Sequence, residues 1–189
     1  MKNIAIYASG SGSNALKIME HFSEHHLAKV ALVITNNSAA GVINHAKKFN
    51  VPCTILEKKD LKSPQCQLEV LKHHHIELIA LAGYLKQIPA ELVQAFPERI
   101  LNIHPALLPK YGGQGMYGLN VHKAVRENNE EFSGPTIHLV DEEYDKGEIL
   151  FQQKIKLNLT DTPEQIASKV LKSEHDNYAT IIEKHLLQL

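Results

Sequence analysis

Asn3-Ile4-Ala5-Ile6-Tyr7-Ala8-Ser9-Gly10-Ser11-Gly12-Ser13-Asn14 is the stretch on which the fold turns. Asn3 to Ala8 is a short, almost continuously apolar run, the pattern of a strand covered on both faces. A Gly/Ser turn follows and leads into a segment from about Asn14 to His25. There Ala15, Ile18, Met19 and Phe22 fall at i, i+3, i+4 and i+7, one apolar face of a 3.6-residue period. The order is strand, turn, helix, and it recurs down the chain. Val30 to Ile34 is the next apolar run, and Ser38 is placed to cap a helix through about Phe49. Cys53 to Leu56, Leu78 to Ala82 and Ile100 to His104 continue the strands, with helices expected near Pro64 to His74 and Pro89 to Phe96. This alternation predicts an α/β fold with a Rossmann-like, mostly parallel central sheet, helices on both faces and right-handed crossovers.

Beyond His104 the rhythm breaks. Lys110 to Gly118 is glycine-rich without apolar periodicity and reads as a mobile loop. A helix from Leu119 to Glu127 is followed by strands at Thr136 to Val140 and Ile149 to Ile155, a partly antiparallel pair. Thr162, Pro163 and Gln165 form a capping-box pattern that opens a last helix reaching about Leu187. No repeat, linker or low-complexity segment interrupts the chain, so residues 1–189 are expected to form a single domain.

Composition narrows the class. A chain of 189 residues, 43% apolar and 22% charged, buries roughly 70% of its unfolded surface and needs no metal or disulfide to hold a core. Its 20 basic and 21 acidic residues give a net charge of −1, which argues against a nucleic-acid or membrane partner. No apolar run approaches the length of a bilayer span, and the chain opens as a strand rather than a signal peptide. Cys53 and Cys66 are outside any paired motif and read as reduced thiols in a cytoplasmic protein.

Four constellations carry chemistry. The turn Ser9 to Asn14 offers glycine backbone and free helix N–H groups to an anion such as a phosphate. Gly10, Gly12 and Ala15 also satisfy the dinucleotide fingerprint, but the second strand ends in Thr35-Asn36-Asn37 without the carboxylate that fingerprint needs. In Asn102-Ile103-His104-Pro105, Asn102 and His104 point to one side of a strand at its C-terminal end. There the amide is placed to hold an oxyanion while the imidazole moves a proton. Asp141, Glu142, Glu143 and Asp145 follow the strand that holds His138, and one of them, turned inward, would orient His104 and raise its pKa; spacing does not choose among the four. Glu174 is the one carboxylate in the stripe Ile166, Val170, Glu174, Tyr178, Ile182, Leu186, and a buried carboxylate requires donors. The run His73-His74-His75 is not a metal site by spacing, since consecutive residues near a helix end do not face one another, and no zinc pattern is present elsewhere.

With Ala8 to Asn14, Leu81-Ala82-Gly83-Tyr84-Leu85, Leu101 to Tyr111, and His138-Leu139-Val140 followed by Asp145-Lys146-Gly147, the chain resembles the phosphoribosylglycinamide (GAR) formyltransferases of the folate-dependent formyltransferase superfamily. The resemblance covers nearly the whole length. The Asn-x-His-Pro segment and later Asp are shared across that superfamily, methionyl-tRNA and deformylase members included; the N-terminal Gly-Ser-Asn turn is the GAR-type feature. The resemblance implies formyl transfer from 10-formyltetrahydrofolate to GAR in purine biosynthesis, by a single formyltransferase domain without a metal. It implies that Gly12, Ser13 and Asn14 bind the phosphoribosyl end and that Glu174 takes the ribose hydroxyls. Leu85, Lys86, Gln87 and Ile88 would line the folate pocket together with Asn102, Leu139, Val140 and Asp141. Asn102 would hold the formyl oxygen, His104 would be the acid/base, and Asp145 would orient it. Where the family often carries Arg, this chain has Lys86; Lys59 and Lys62 are both candidates to meet the folate tail. The expected partners are the two small molecules alone, with the protein a monomer or homodimer. A dinucleotide-dependent oxidoreductase and a non-catalytic phosphate-binding module are the competing classes.

Overall fold

The structure, a computed structural model, describes residues 1–61 and 63–189. Strand β1 (Lys2–Tyr7) leads to helix α1 (Ser13–Phe22), then β2 (Ala28–Thr35), α2 (Val42–Lys48), β3 (Cys53–Ile55), the short α3 (Lys58–Leu61), α4 (Pro64–His73) and β4 (Leu78–Leu81). After them come α5 (Ala90–Ala95), β5 (Ile100–His104), α6 (Leu119–Glu127), β6 (Phe132–Ser133), β7 (Thr136–Leu139), β8 (Ile149–Gln152), β9 (Ile155–Lys156) and α7 (Pro163–Leu186). The main sheet has the order β3-β2-β1-β4-β5-β7-β8. Its first five strands are parallel, and β7 and β8 extend it antiparallel. This is the expected α/β, Rossmann-like architecture. The chain leaves β1 toward β2 on one side and leaves β4 toward β5 on the other, so a crevice opens between β1 and β4 at the strands' C-terminal ends.

Apolar cores fill both faces of the sheet. Ile4, Ile6, Leu78 and Leu101 are buried on one side with Ala15, Ile18, Met19 and Phe22 of α1, the predicted stripe, and with Tyr178, Ile182 and Leu186 of α7. Ala5, Tyr7, Leu32 and Ile79 are buried on the other with Leu71 of α4 and Leu92 of α5. Helix α7 opens on the expected capping box: the Thr162 hydroxyl accepts from Gln165 N, and the Gln165 side chain accepts from Thr162 N. Further along, the buried Tyr178 hydroxyl lies 3.0 Å from Leu81 O and 2.9 Å from Leu101 O. That shared bond fixes α7 against the ends of β4 and β5.

Three local expectations are corrected. Ser38 does not cap α2, which begins at Val42; Asn37 instead accepts from Ala39 N, a turn made by its own side chain that delays the helix. Helix α1 stops at Phe22, short of His25. The run Ile149 to Ile155 is split, because β8 pairs with β7 whereas Ile155 in β9 pairs with β6 in a separate two-stranded sheet.

Candidate active site

The first wall of the crevice is the turn after β1. Gly12 caps α1 with φ 76° and ψ 27°, and a Cβ there would lie 2.6 Å from Val42 Cβ, so both the conformation and the neighbour require glycine. The Ser9 hydroxyl donates to Asn36 Oδ1 at 2.6 Å and accepts from Leu85 N at 3.0 Å, tying together the chain after β1, β2 and β4. Asn36, standing where a dinucleotide fold places its ribose-binding acid, instead accepts from the protein's own Ser9 hydroxyl. In the first turn of α1, Asn14 Nδ2 donates to Glu174 Oε2 at 2.6 Å, and both residues are buried. Asn14 Oδ1 is buried with no partner among the described residues. Burial pushes the Glu174 carboxyl up to about 7, against the lowering effect of the Asn14 amide.

The second wall is β5 with its antiparallel neighbour. Register places Asn102 opposite His138 and His104 opposite Thr136, so all four side chains share one face of the sheet. Thr136 accepts from Leu108 N at 3.0 Å and donates to Ala106 O at 2.6 Å, holding the segment after His104 in place. His104 Nε2 lies 2.7 Å from Tyr111 O. A carbonyl only accepts, so Nε2 carries the hydrogen and Nδ1 faces Asp145 Oδ2 at 3.6 Å. By the same logic His138 Nδ1, 2.7 Å from Leu139 O, is the protonated nitrogen. Its Nε2 then accepts from Asn102 Nδ2 at 3.1 Å. The other amide hydrogen has only a 3.5 Å approach to Asp145 Oδ1.

Of the four clustered acids, Asp145 is the one that turns inward. Asp141, Glu142 and Glu143 are exposed and bond to Glu143 N, Gln94 and Lys146 respectively. Asp145 has φ 55° and accepts from Gly113 N at 2.8 Å. Burial raises its carboxyl, but the His138 imidazole 3.5 Å away, the bond from Gly113 N and the nearby His104 outweigh that and hold it below the usual range. The expectation that a carboxylate raises the His104 pKa is corrected. Asp145 and the Tyr111 carbonyl do push it up, but burial pushes harder the other way, and the net shift is downward. The resting imidazole is therefore neutral at neutral pH.

A cavity of about 810 Å³ joins the two walls. Asn14, Glu174, Leu85, Lys86, Gln87, Ile88, Asn102, His104, Val140, Asp141 and Asp145 line it. Gly12 and Ser13 are not among its lining residues, nor is Leu139, whose side chain belongs to the core. Lys59 is exposed, pairs with Glu57 at 3.2 Å and does not line the cavity; Lys62 lies outside the described residues. Two residues that sequence reasoning left without a role also line it. His138 has a signal in the alternation of β7, which puts it on the same face as Thr136. His122, on α6, is buried with Nδ1 unpartnered, and burial drives its pKa down to about 4. The loop from Lys110 runs past this wall with Gly113, Gly115 and Gly118 at positive φ.

The chain matches the formyl transferase family over residues 2–182. It is 46% identical over 96% of its length to a chloroplastic phosphoribosylglycinamide formyltransferase of Arabidopsis thaliana, and it spans 64% of that relative's length. To the Bacillus subtilis phosphoribosylglycinamide formyltransferase it is 37% identical, over 98% of this chain and 95% of the relative. The crystal structure of phosphoribosylglycinamide formyltransferase from Anaplasma phagocytophilum superposes with a TM-score of 0.90 at 29% identity, covering 99% of this chain and 88% of that one. With a family match that takes in both walls of the crevice, and a relative shared almost end to end, the chain belongs to the formyl transferase family.

Proposed function

We propose that the chain transfers the formyl group of 10-formyltetrahydrofolate to the amine of 5'-phosphoribosylglycinamide, giving formyl-GAR and tetrahydrofolate in purine biosynthesis. The observation that carries this reading is the meeting of Asn102, His104 and Asp145 with the Asn14–Glu174 pair in one cavity. A non-catalytic phosphate-binding module has no use for the first group, and a dinucleotide enzyme lacks its acid at Asn36.

In this reading the phosphate of GAR sits on the N–H groups of Gly12, Ser13 and Asn14, where the helix terminus favours an anion. The ribose hydroxyls donate to Glu174 and to the buried Asn14 Oδ1. The folate lies along Leu85 to Ile88 and the backbone from Leu139 to Asp141. The GAR amine attacks the formyl carbon, and the carbonyl oxygen takes on negative charge. Asn102 meets it with the amide hydrogen that has only a 3.5 Å contact to give up. Collapse of the tetrahedral intermediate breaks the bond to the folate N10. One proton passes from the attacking nitrogen to the departing one, through His104 and a water held by Asp145. A neutral His104 next to a carboxylate is poised to take a proton and, once charged, to help hold the oxyanion. Each oxyanion donor contributes about 3 kcal/mol, and alignment of the two substrates adds several more.

Residues 1–189 act in this reading as one formyltransferase domain, a monomer or homodimer in the cytoplasm, with small molecules as its only partners. Two observations support it: Asn14, Asn102, His104, Asp145 and Glu174 of one chain line a single cavity, and Cys53 and Cys66 are free. Among the described residues no helix is long and apolar enough to cross a membrane. The test is the absorbance change as tetrahydrofolate leaves a 10-formyl folate analogue, with and without GAR. Release that depends on GAR is expected. Release without it identifies a hydrolase acting with water as acceptor, and no release in either case overturns the proposal.

A further inference from the structure

Helices α1 and α7 run side by side, with Asn14 and Glu174 meeting at the cavity end and His21 and Glu183 meeting two turns further along. At that far end His21 Nε2 lies 2.7 Å from Glu183 Oε2, and His25 Nε2 lies 3.3 Å from Glu183 Oε1. One donor atom from each residue falls within 4.8 Å of the others. The two imidazoles are stacked, with centroids 5.5 Å apart and planes 21° apart, and the buried Phe22 ring packs edge-on against both. The 162 residues separating His21 from Glu183 hide this group from any reading of sequence spacing.

We propose that His21 Nε2, His25 Nε2 and the Glu183 carboxylate form a three-ligand site for a zinc-type divalent transition metal, which cross-links α1 to α7 away from the active site. Two imidazoles and a carboxylate suit such an ion and not magnesium or calcium, which take oxygen ligands. Bond lengths of about 2.1 Å put tetrahedral donors about 3.4 Å apart; the imidazoles now meet different oxygens of Glu183, and one donor atom from each residue, within 4.8 Å of the others, closes by at most about 1.4 Å to reach that spacing. The three side chains are 29%, 26% and 29% exposed, which leaves the fourth position to water. One bond must be given up. Leu27 N donates to His25 Nδ1 at 3.2 Å, and metal at Nε2 moves the ring proton to Nδ1 and ends that bond.

The test titrates Zn(II) and Co(II) into the full chain. One ion per chain is expected, with the strong visible bands of four-coordinate Co(II), a raised melting temperature and a shift of the Leu27 amide resonance. Affinity falls at least about tenfold in His25→Ala and in Glu183→Gln, and is unchanged in a variant with His73, His74 and His75 all replaced by Ala. Metal-free formyl transfer stays at the wild-type rate in each. Equal affinity in the His25 and Glu183 variants, loss of binding in the His73–His75 variant, or a weak six-coordinate Co(II) spectrum from the wild-type chain overturns the proposal. The last readout needs no variant to fold.

Discussion

At one end of the cavity Asp145 accepts from Gly113 N and faces two imidazoles whose tautomers are set by the Tyr111 and Leu139 carbonyls. At the other end, among the described residues, Asn14 leaves an oxygen unpartnered and its amide is the one side-chain donor to the buried Glu174. The first end is held in place by the protein's own hydrogen bonds before any substrate arrives, as expected of groups that must stabilise charge without rearranging. The second has a polar atom unpartnered among the described residues, and in the proposed function the hydroxyl donors of GAR relieve its cost of burial. In the proposed function, chemistry is pre-organised at one end and recognition is left open at the other. That difference predicts how the two ends respond when broken.

The largest effect belongs to the pre-organised end. His104→Ala is expected to lower kcat by about 10²–10⁴ while leaving KM for GAR within a few-fold of wild type, measured by steady-state formyl transfer. A mutant turning over within a few-fold of wild type removes His104 from the mechanism. A large rise in KM with unchanged kcat would reverse the assignment of the two ends.

Glu174→Gln tests the open end and should split binding from stability. The folded carboxyl titrates near 7 against 4.5 as its ordinary value. Between those pH values the folded chain holds a proton that the unfolded chain releases, so stability falls as pH rises through the window. By pH 8 the ionised, unrelieved carboxylate costs up to about 3 kcal/mol. The Gln variant without ligand should therefore melt higher than wild type at pH 8 and differ little at pH 4. Its KM for GAR should rise about 10- to 100-fold at pH 8, the loss of charged hydrogen bonds to the ribose. Wild-type KM for GAR should fall from pH 6 to 8 and the variant's stay flat.

Gly12→Ala probes the turn that supports the open end. A φ of 76° and a Cβ 2.6 Å from Val42 should destabilise the fold by about 2 kcal/mol in urea melts and weaken GAR binding through the displaced helix N-terminus. If stability drops and GAR affinity does not, the phosphate lies elsewhere.

How far the sequence reveals these two ends follows from the range of the forces that build them. The strands, the α1 stripe and the Thr162 cap rest on residues within a turn or two of one another, and periodicity finds them. Asn102 and His104 were visible as candidates because strand alternation is also local. Which of four acids turns inward is implied by the family resemblance and not by spacing, since it depends on Asp145 adopting φ 55° and on Gly113 lying across a loop. The direction of the His104 shift was equally hidden, because burial, a property of the assembled cavity, outweighs the Asp145 charge that sequence can suggest. Ser38 misled because Asn37, one residue earlier, makes the competing local bond. Leu139, in a family segment, points its side chain into the core, so family position alone did not say which of its atoms faces the ligand.

The smallest effect separates support of the fold from support of the site. Thr162→Ala removes the α7 cap and should cost about 1 kcal/mol of stability in a denaturant melt. Kinetics should not move, although Glu174 lies on the same helix. Glu174 is one turn from Tyr178, whose hydroxyl is held by Leu81 and Leu101 carbonyls at the ends of β4 and β5, and Ile166 and Val170 are buried between the cap and the carboxylate. Fraying of the first turn is stopped by that packing before it reaches the cavity. A change in KM for GAR in this variant would mean that the open end is tuned along the whole length of α7, and that recognition there is less local than the Asn14–Glu174 geometry implies.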